Sequence, residues 1–73
     1  MAQIEVLSEI TGVVYEVEVK PGDKVEEGDS LLLIEAMKME IPVLATEDGT
    51  VAKILVAEKD AVTEGQPLVV LDT

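Results

Sequence analysis

Few residues in this chain could do chemistry. Among its 73 residues there is no histidine and no cysteine. Imidazole bases, thiolate nucleophiles and Cys/His-ligated metal centres are therefore excluded. What remains is 16 carboxylates and five lysines, with no arginine. The carboxylates do not assemble into a site. Glu26, Glu27 and Asp29 cluster, as do Glu47 and Asp48, but neither group has the spaced oxygens, central glycine and late glutamate of a calcium loop. They read as solvated loops. A paired-carboxylate hydrolase needs a cleft between its acids, and a small aliphatic domain has little room for one. Intrinsic catalysis is not expected. Among the lysines, Lys38 stands apart in Glu35-Ala36-Met37-Lys38-Met39-Glu40, between two of the three methionines. Methionine is costly to expose without reason and suits an adaptable contact surface. A lone surface lysine is ordinarily explained by solubility. Its neighbours set a protein contact beside that reading, and both stand at this point.

The rest of the composition narrows the partners. The formal net charge is −11 and Tyr15 is the only aromatic. So acidic a surface repels phosphate backbones, and one tyrosine cannot supply base-stacking platforms, so no nucleic-acid partner is expected. No apolar run approaches the roughly 18 residues of a membrane span, and direct membrane insertion is not expected. The first ten residues include Glu5 and Glu9 and no basic region, unlike a signal peptide. Disorder is a poor reading too, because 48% of residues are apolar and Val, Ile and Leu dominate. One small domain with a thin core fits this length.

An internal repeat organises that domain. Shifted by 37, residues 3–35 align with residues 40–72 without a gap, and eleven of the 33 pairs are identical. Ile4 matches Ile41, Gly12 matches Gly49, Val14 matches Val51, Gly28 matches Gly65 and Leu31 matches Leu68. Residues 36–39 join the halves. Each half reads as short strands between turns. Ile4 and Val6 alternate with polar residues, as do Tyr15, Val17 and Val19. Val14 and Val51 break the second alternation, which predicts a bulge near Tyr15 and Ala52. Lys20-Pro21-Gly22-Asp23 has type II turn chemistry, and Glu27-Gly28-Asp29 is a second turn. Leu31-Leu32-Leu33-Ile34 suits a strand closing a core. One half exposes an apolar face that it cannot cover alone, whereas two halves related by an approximate two-fold axis can cover each other.

The repeat also decides an ambiguous segment. Residues 30–41 are rich in helix formers, and Ser30 could act as an N-cap. Yet residues 31–35 must match 68–72, which are β-like, and residues 41–44 must match the strand at 4–7. Two strands then flank a junction of about four residues, which is a tight hairpin. It lacks the Asn-Gly or Asp-Gly that such a turn favours. A turn kept against local preference points to function there. Two-fold symmetry sets this linker at one end of the molecule and the paired termini at the other, so Lys38 is expected at an accessible tip.

At this point the residues resemble the biotinyl (biotin carboxyl carrier) domains of the biotinyl/lipoyl attachment family. The likeness rests on the Glu35 to Glu40 motif, with Gly12-Val13-Val14, Val19-Lys20-Pro21-Gly22-Asp23, Val25, Gly28, Asp48-Gly49-Thr50-Val51 and Gly65-Gln66-Pro67-Leu68, and so covers nearly the whole chain. It implies an all-β flattened barrel of two four-stranded antiparallel sheets, with residues 1–73 forming one carrier domain. It implies that a biotin protein ligase joins biotin to Lys38, reading Met37 and Met39, with Glu35, Ala36 and Glu40 completing the recognition motif. Partial burial against the hairpin is the competing reading for one of the two methionines. The loaded group would then pass between a biotin carboxylase site and a carboxyltransferase or decarboxylase site, in the cytoplasm, or in an organelle matrix if the chain is a piece of a larger enzyme.

The sequence departs from the family pattern in places. Ser8-Glu9-Ile10-Thr11 stands where Ala-Pro often precedes the first glycine, and Ala45 is followed by Thr46. No insertion interrupts the early strands, so the chain looks thumbless. No Ala/Pro-rich linker is present, which fits an excised C-terminal module or a free-standing carrier. Two alternatives remain open: a lipoyl carrier, which typically has Asp before its lysine and Ala after it, and an unmodified interaction module on the same fold.

Overall fold

The computed structural model describes residues 2–73. It is built of eight strands: β1 (Gln3–Leu7), β2 (Gly12–Val17), β3 (Lys24–Val25), β4 (Ser30–Ala36), β5 (Met39–Leu44), β6 (Gly49–Ile54), β7 (Ala61–Val62) and β8 (Pro67–Asp72). They form two four-stranded sheets, ordered β1-β8-β6-β3 and β5-β4-β2-β7. All pairings are antiparallel. The expected all-β, two-sheet architecture is observed.

A shift of 37 residues carries β1 to β4 onto β5 to β8, and carries the order of one sheet onto that of the other. Each sheet nevertheless draws two strands from each half. The halves do not sit face to face as two separate units; they interleave. The core is correspondingly shared. Leu31, Leu32 and Ile34 of β4 are wholly buried with Leu68, Val69 and Leu71 of β8, the same positions contributed twice.

The pairing slips between Val14 and Glu16 on β2, and between Val51 and Lys53 on β6. These are the bulges anticipated at Tyr15 and Ala52. The extra residue turns outward, so Tyr15 is half exposed while Val14 is buried. Tyr15 therefore does not belong to the buried alternation that Val17 and Val19 continue at the margin of the core.

One turn chemistry recurs four times. Asp23 N–H donates to the Lys20 carbonyl, Asp29 N–H to that of Glu26, Asp60 N–H to that of Ala57 and Gln66 N–H to that of Thr63. In each, a side-chain oxygen of the last residue accepts the N–H of the first, at 2.9–3.1 Å. Each such bond contributes about 1 kcal/mol. The third residue takes a positive φ: Gly22 at 97°, Gly28 at 92°, Gly65 at 88°, and in the remaining turn Lys59 at 77°. A side chain in that region costs about 1–2 kcal/mol. Lys59→Gly should therefore raise stability, by about 1 kcal/mol after the entropy that glycine loses on folding. The expected result is a higher urea midpoint at unchanged slope; a lower midpoint would mean that the lysine side chain makes a compensating contact.

The termini lie together. Thr73 N–H donates to the Ala2 carbonyl at 2.8 Å, and the Gln3 amide donates to the Asp72 carboxylate at 2.9 Å. Under the repeat, the counterpart of the Ala2/Thr73 junction is the pair Met39 and Ala36. The site described next thus occupies in one sheet the position that the chain ends occupy in the other.

Candidate functional site

The segment that could have been a helix is a β-hairpin. Register runs Ile34↔Ile41, Glu35↔Glu40, Ala36↔Met39, leaving Met37 and Lys38 as a two-residue turn. Their φ values are 52° and 65°, the paired positive φ of a type I′ turn. Asn-Gly adopts it with little strain, whereas two bulky side chains there cost about 1–2 kcal/mol each. Glu35 and Glu40, directly opposite each other, add like-charge repulsion. The turn is held by the strands behind it, not by its own residues.

Those strands are well anchored. Ile34 is wholly buried and Ala36 is 7% exposed. A Cβ on Gly12 would lie 2.5 Å from the Glu35 carbonyl oxygen and 3.2 Å from the Ala36 Cβ, so only glycine lets β2 pack this closely against the root of the hairpin. A Cβ on Gly49 would meet the Asp72 carbonyl in the same way. Gly12 is a positioning residue that the sequence marked by its identity with Gly49 in the repeat and by its place in Gly12-Val13-Val14, without showing its role.

Beyond the root the side chains spread into solvent. Lys38, Glu35 and Glu40 are exposed. Met37 is 90% exposed and Met39 63%, so neither is tucked against the hairpin. Ala36 differs from the other motif residues in facing the interior. Its side chain packs near Gly12 and is not available to a partner unless the hairpin root opens. The other five motif residues form one exposed cluster around the turn.

A groove of about 380 Å³ follows the edges of β1 and β5, lined by Val6, Leu7, Ile41, Pro42, Leu44 and others, and Lys38 is not among its walls. Among the described residues no group of three or more Asp, Glu, His or Cys could hold a metal ion. The arrangement suits an acyl group carried by a single amide bond: an exposed amine on a two-residue turn with a well-packed root.

Comparison with known proteins bears on what that group is. Residues 2–71 match the Biotin_lipoyl family, described as "Biotin-requiring enzyme". The chain belongs to the biotin/lipoyl attachment family. It is 45% identical over 67 residues to the "Biotinylated protein TB7.3 homolog" of Mycobacterium leprae, covering 92% of this chain and 94% of that one. It is 40% identical over 63 residues to the "Biotin/lipoyl attachment protein" of Bacillus subtilis, covering 86% of each. Among solved structures, Kluyveromyces lactis urea carboxylase matches with a TM-score of 0.93 at 39% identity, covering 99% of this chain and 6% of that one. This biotin/lipoyl attachment fold therefore occurs both in chains of about this length and as a small part of a large carboxylase.

Proposed function

We propose that this chain is a biotin carboxyl carrier domain, spanning residues 1–73, with Lys38 as the attachment point. It is a substrate of other enzymes rather than a catalyst. The observation that carries this reading is the exposed Met37-Lys38 turn, strained and like-charge-flanked, on a root that Gly12 and Ile34 hold rigid. Such a turn has no stabilising role and makes sense as a presented amine. The two methionines beside Lys38 favour biotin over lipoate. The mycobacterial relative is named as a biotinylated protein, which points the same way.

The chemistry asked of this chain is limited. The Lys38 amine forms an amide bond with the carboxyl carbon of biotin activated as its adenylate; AMP leaves and the amine loses a proton. The chain has no histidine to accept that proton, and the biotin protein ligase is expected to supply the base. Met37 and Met39 offer the ligase apolar, adaptable contacts, with Glu35 and Glu40 at the margin. When attached, biotin supplies a ureido nitrogen able to take up a carboxyl group at an ATP- and bicarbonate-using carboxylase site and release it at a carboxyltransferase or decarboxylase site. The β-scaffold keeps the turn clear of its own surface. Tethering then raises the effective concentration of the group at both sites without releasing it.

Intact mass after co-expression with a biotin protein ligase tests the reading. A gain of biotin less one water is expected. A lipoyl increment would make the chain a lipoyl carrier, and no gain would leave it an unmodified interaction module.

A further inference from the structure

Met37 and Met39 hold a chemistry that the carrier role does not use. Each has a thioether, and at 90% and 63% exposure each is open to small oxidants. Neither contributes to the core, so the fold does not depend on their being apolar. The site does. Of the five exposed side chains around the turn, Glu35, Lys38 and Glu40 carry charge, and only the two methionines can contribute apolar contact.

We infer that Met37 and Met39 form a peroxide-sensitive pair that governs whether Lys38 is accepted by the enzymes acting on it; this rests on the carrier reading above. A peroxide transfers one oxygen atom to the thioether sulfur. The O–O bond breaks, an S–O bond forms, the sulfur is oxidised by two electrons and the peroxide leaves as water. The product sulfoxide is polar and chiral, and methionine sulfoxide reductases reverse it. Oxidation therefore replaces an apolar contact with a polar one beside an unchanged amine, while the Ala36–Met39 backbone pairing and the buried root remain. Met37, the more exposed, reacts first and Met39 second. Both react without unfolding.

The test treats the unmodified chain with hydrogen peroxide, removes the peroxide with catalase, and measures labelling by biotin protein ligase. Peptide mass spectrometry locates the added oxygen, and a thermal melt reports the fold. Expected results are oxygen on Met37 before Met39, an unchanged melting temperature, and ligase kcat/KM lowered roughly tenfold, with recovery after sulfoxide reductase. A Met37→Leu/Met39→Leu double variant, compared with its own untreated rate, should lose no activity on peroxide treatment. Labelling that is unaffected although Met37 carries the oxygen would overturn the inference and leave the carrier reading intact. Failure of Met37 to oxidise under conditions that oxidise free methionine would overturn it equally. Absence of labelling in untreated protein would overturn both.

Discussion

Lys38→Arg will leave the fold intact and abolish biotin incorporation. Guanidinium retains the positive charge and solubility of the side chain but is not deprotonated under conditions that proteins tolerate, so it cannot act as the nucleophile. The position tolerates the change, because Lys38 is exposed and already sits at a φ of 65°. The expected result is an unchanged melting temperature and no streptavidin signal after co-expression with ligase, against near-complete labelling of the parent. None of the other four lysines compensates. Lys20, Lys24 and Lys53 are not on a two-residue hairpin turn, and Lys59, though at positive φ, lies in an Asp60-closed turn with no flanking methionines. Labelling of Lys38→Arg at the parental stoichiometry would locate the attachment elsewhere and remove the carrier assignment from this turn.

The largest effect on stability is expected from Leu31→Ala. Leu31 is wholly buried where β4 and β8 share one core. Truncating such a leucine costs about 2–5 kcal/mol, part from lost transfer free energy and part from the cavity. A chain of this length has a total stability of about 4–11 kcal/mol at the usual per-residue values. One truncation can therefore remove half or more of it. Leu68, its repeat counterpart, is equally buried, and Leu68→Ala should fall in the same range. The interleaving of the halves adds a sharper expectation: either variant should lower a single cooperative urea transition, not split it into two. If each half folded on its own core, Leu31→Ala would produce a biphasic curve with the second transition unmoved. A loss under about 1 kcal/mol would mean that β4 is not the centre of the core.

Much of this molecule was legible before its structure. The 37-residue repeat implied two equivalent sets of short strands, and the family resemblance implied that they form two four-stranded sheets. Val14 and Val51 marked the bulges by breaking alternation, and the positions of Gly22, Gly28 and Gly65 marked the turns. The hairpin at residues 36–39 was legible only through the repeat, since residues 30–41 prefer helix by composition. These features are encoded locally, in side-chain period and in the backbone freedom of single residues. The motif around Lys38 likewise announced the family, as the match over residues 2–71 bears out.

Other features were set by partners distant in sequence. The exchange of strands between sheets could not be read, because alternation tells which side chains face inward but not which edge a strand pairs with. The inward turn of Ala36 and the need for glycine at position 12 both follow from how closely β2 approaches β4. The sequence alone determined what the halves are, how they resemble each other and which lysine lies in the family motif. Only tertiary packing decided that the halves interleave and that the strained Met37-Lys38 turn is held open, because the energy that holds it comes from buried contacts beyond the turn itself.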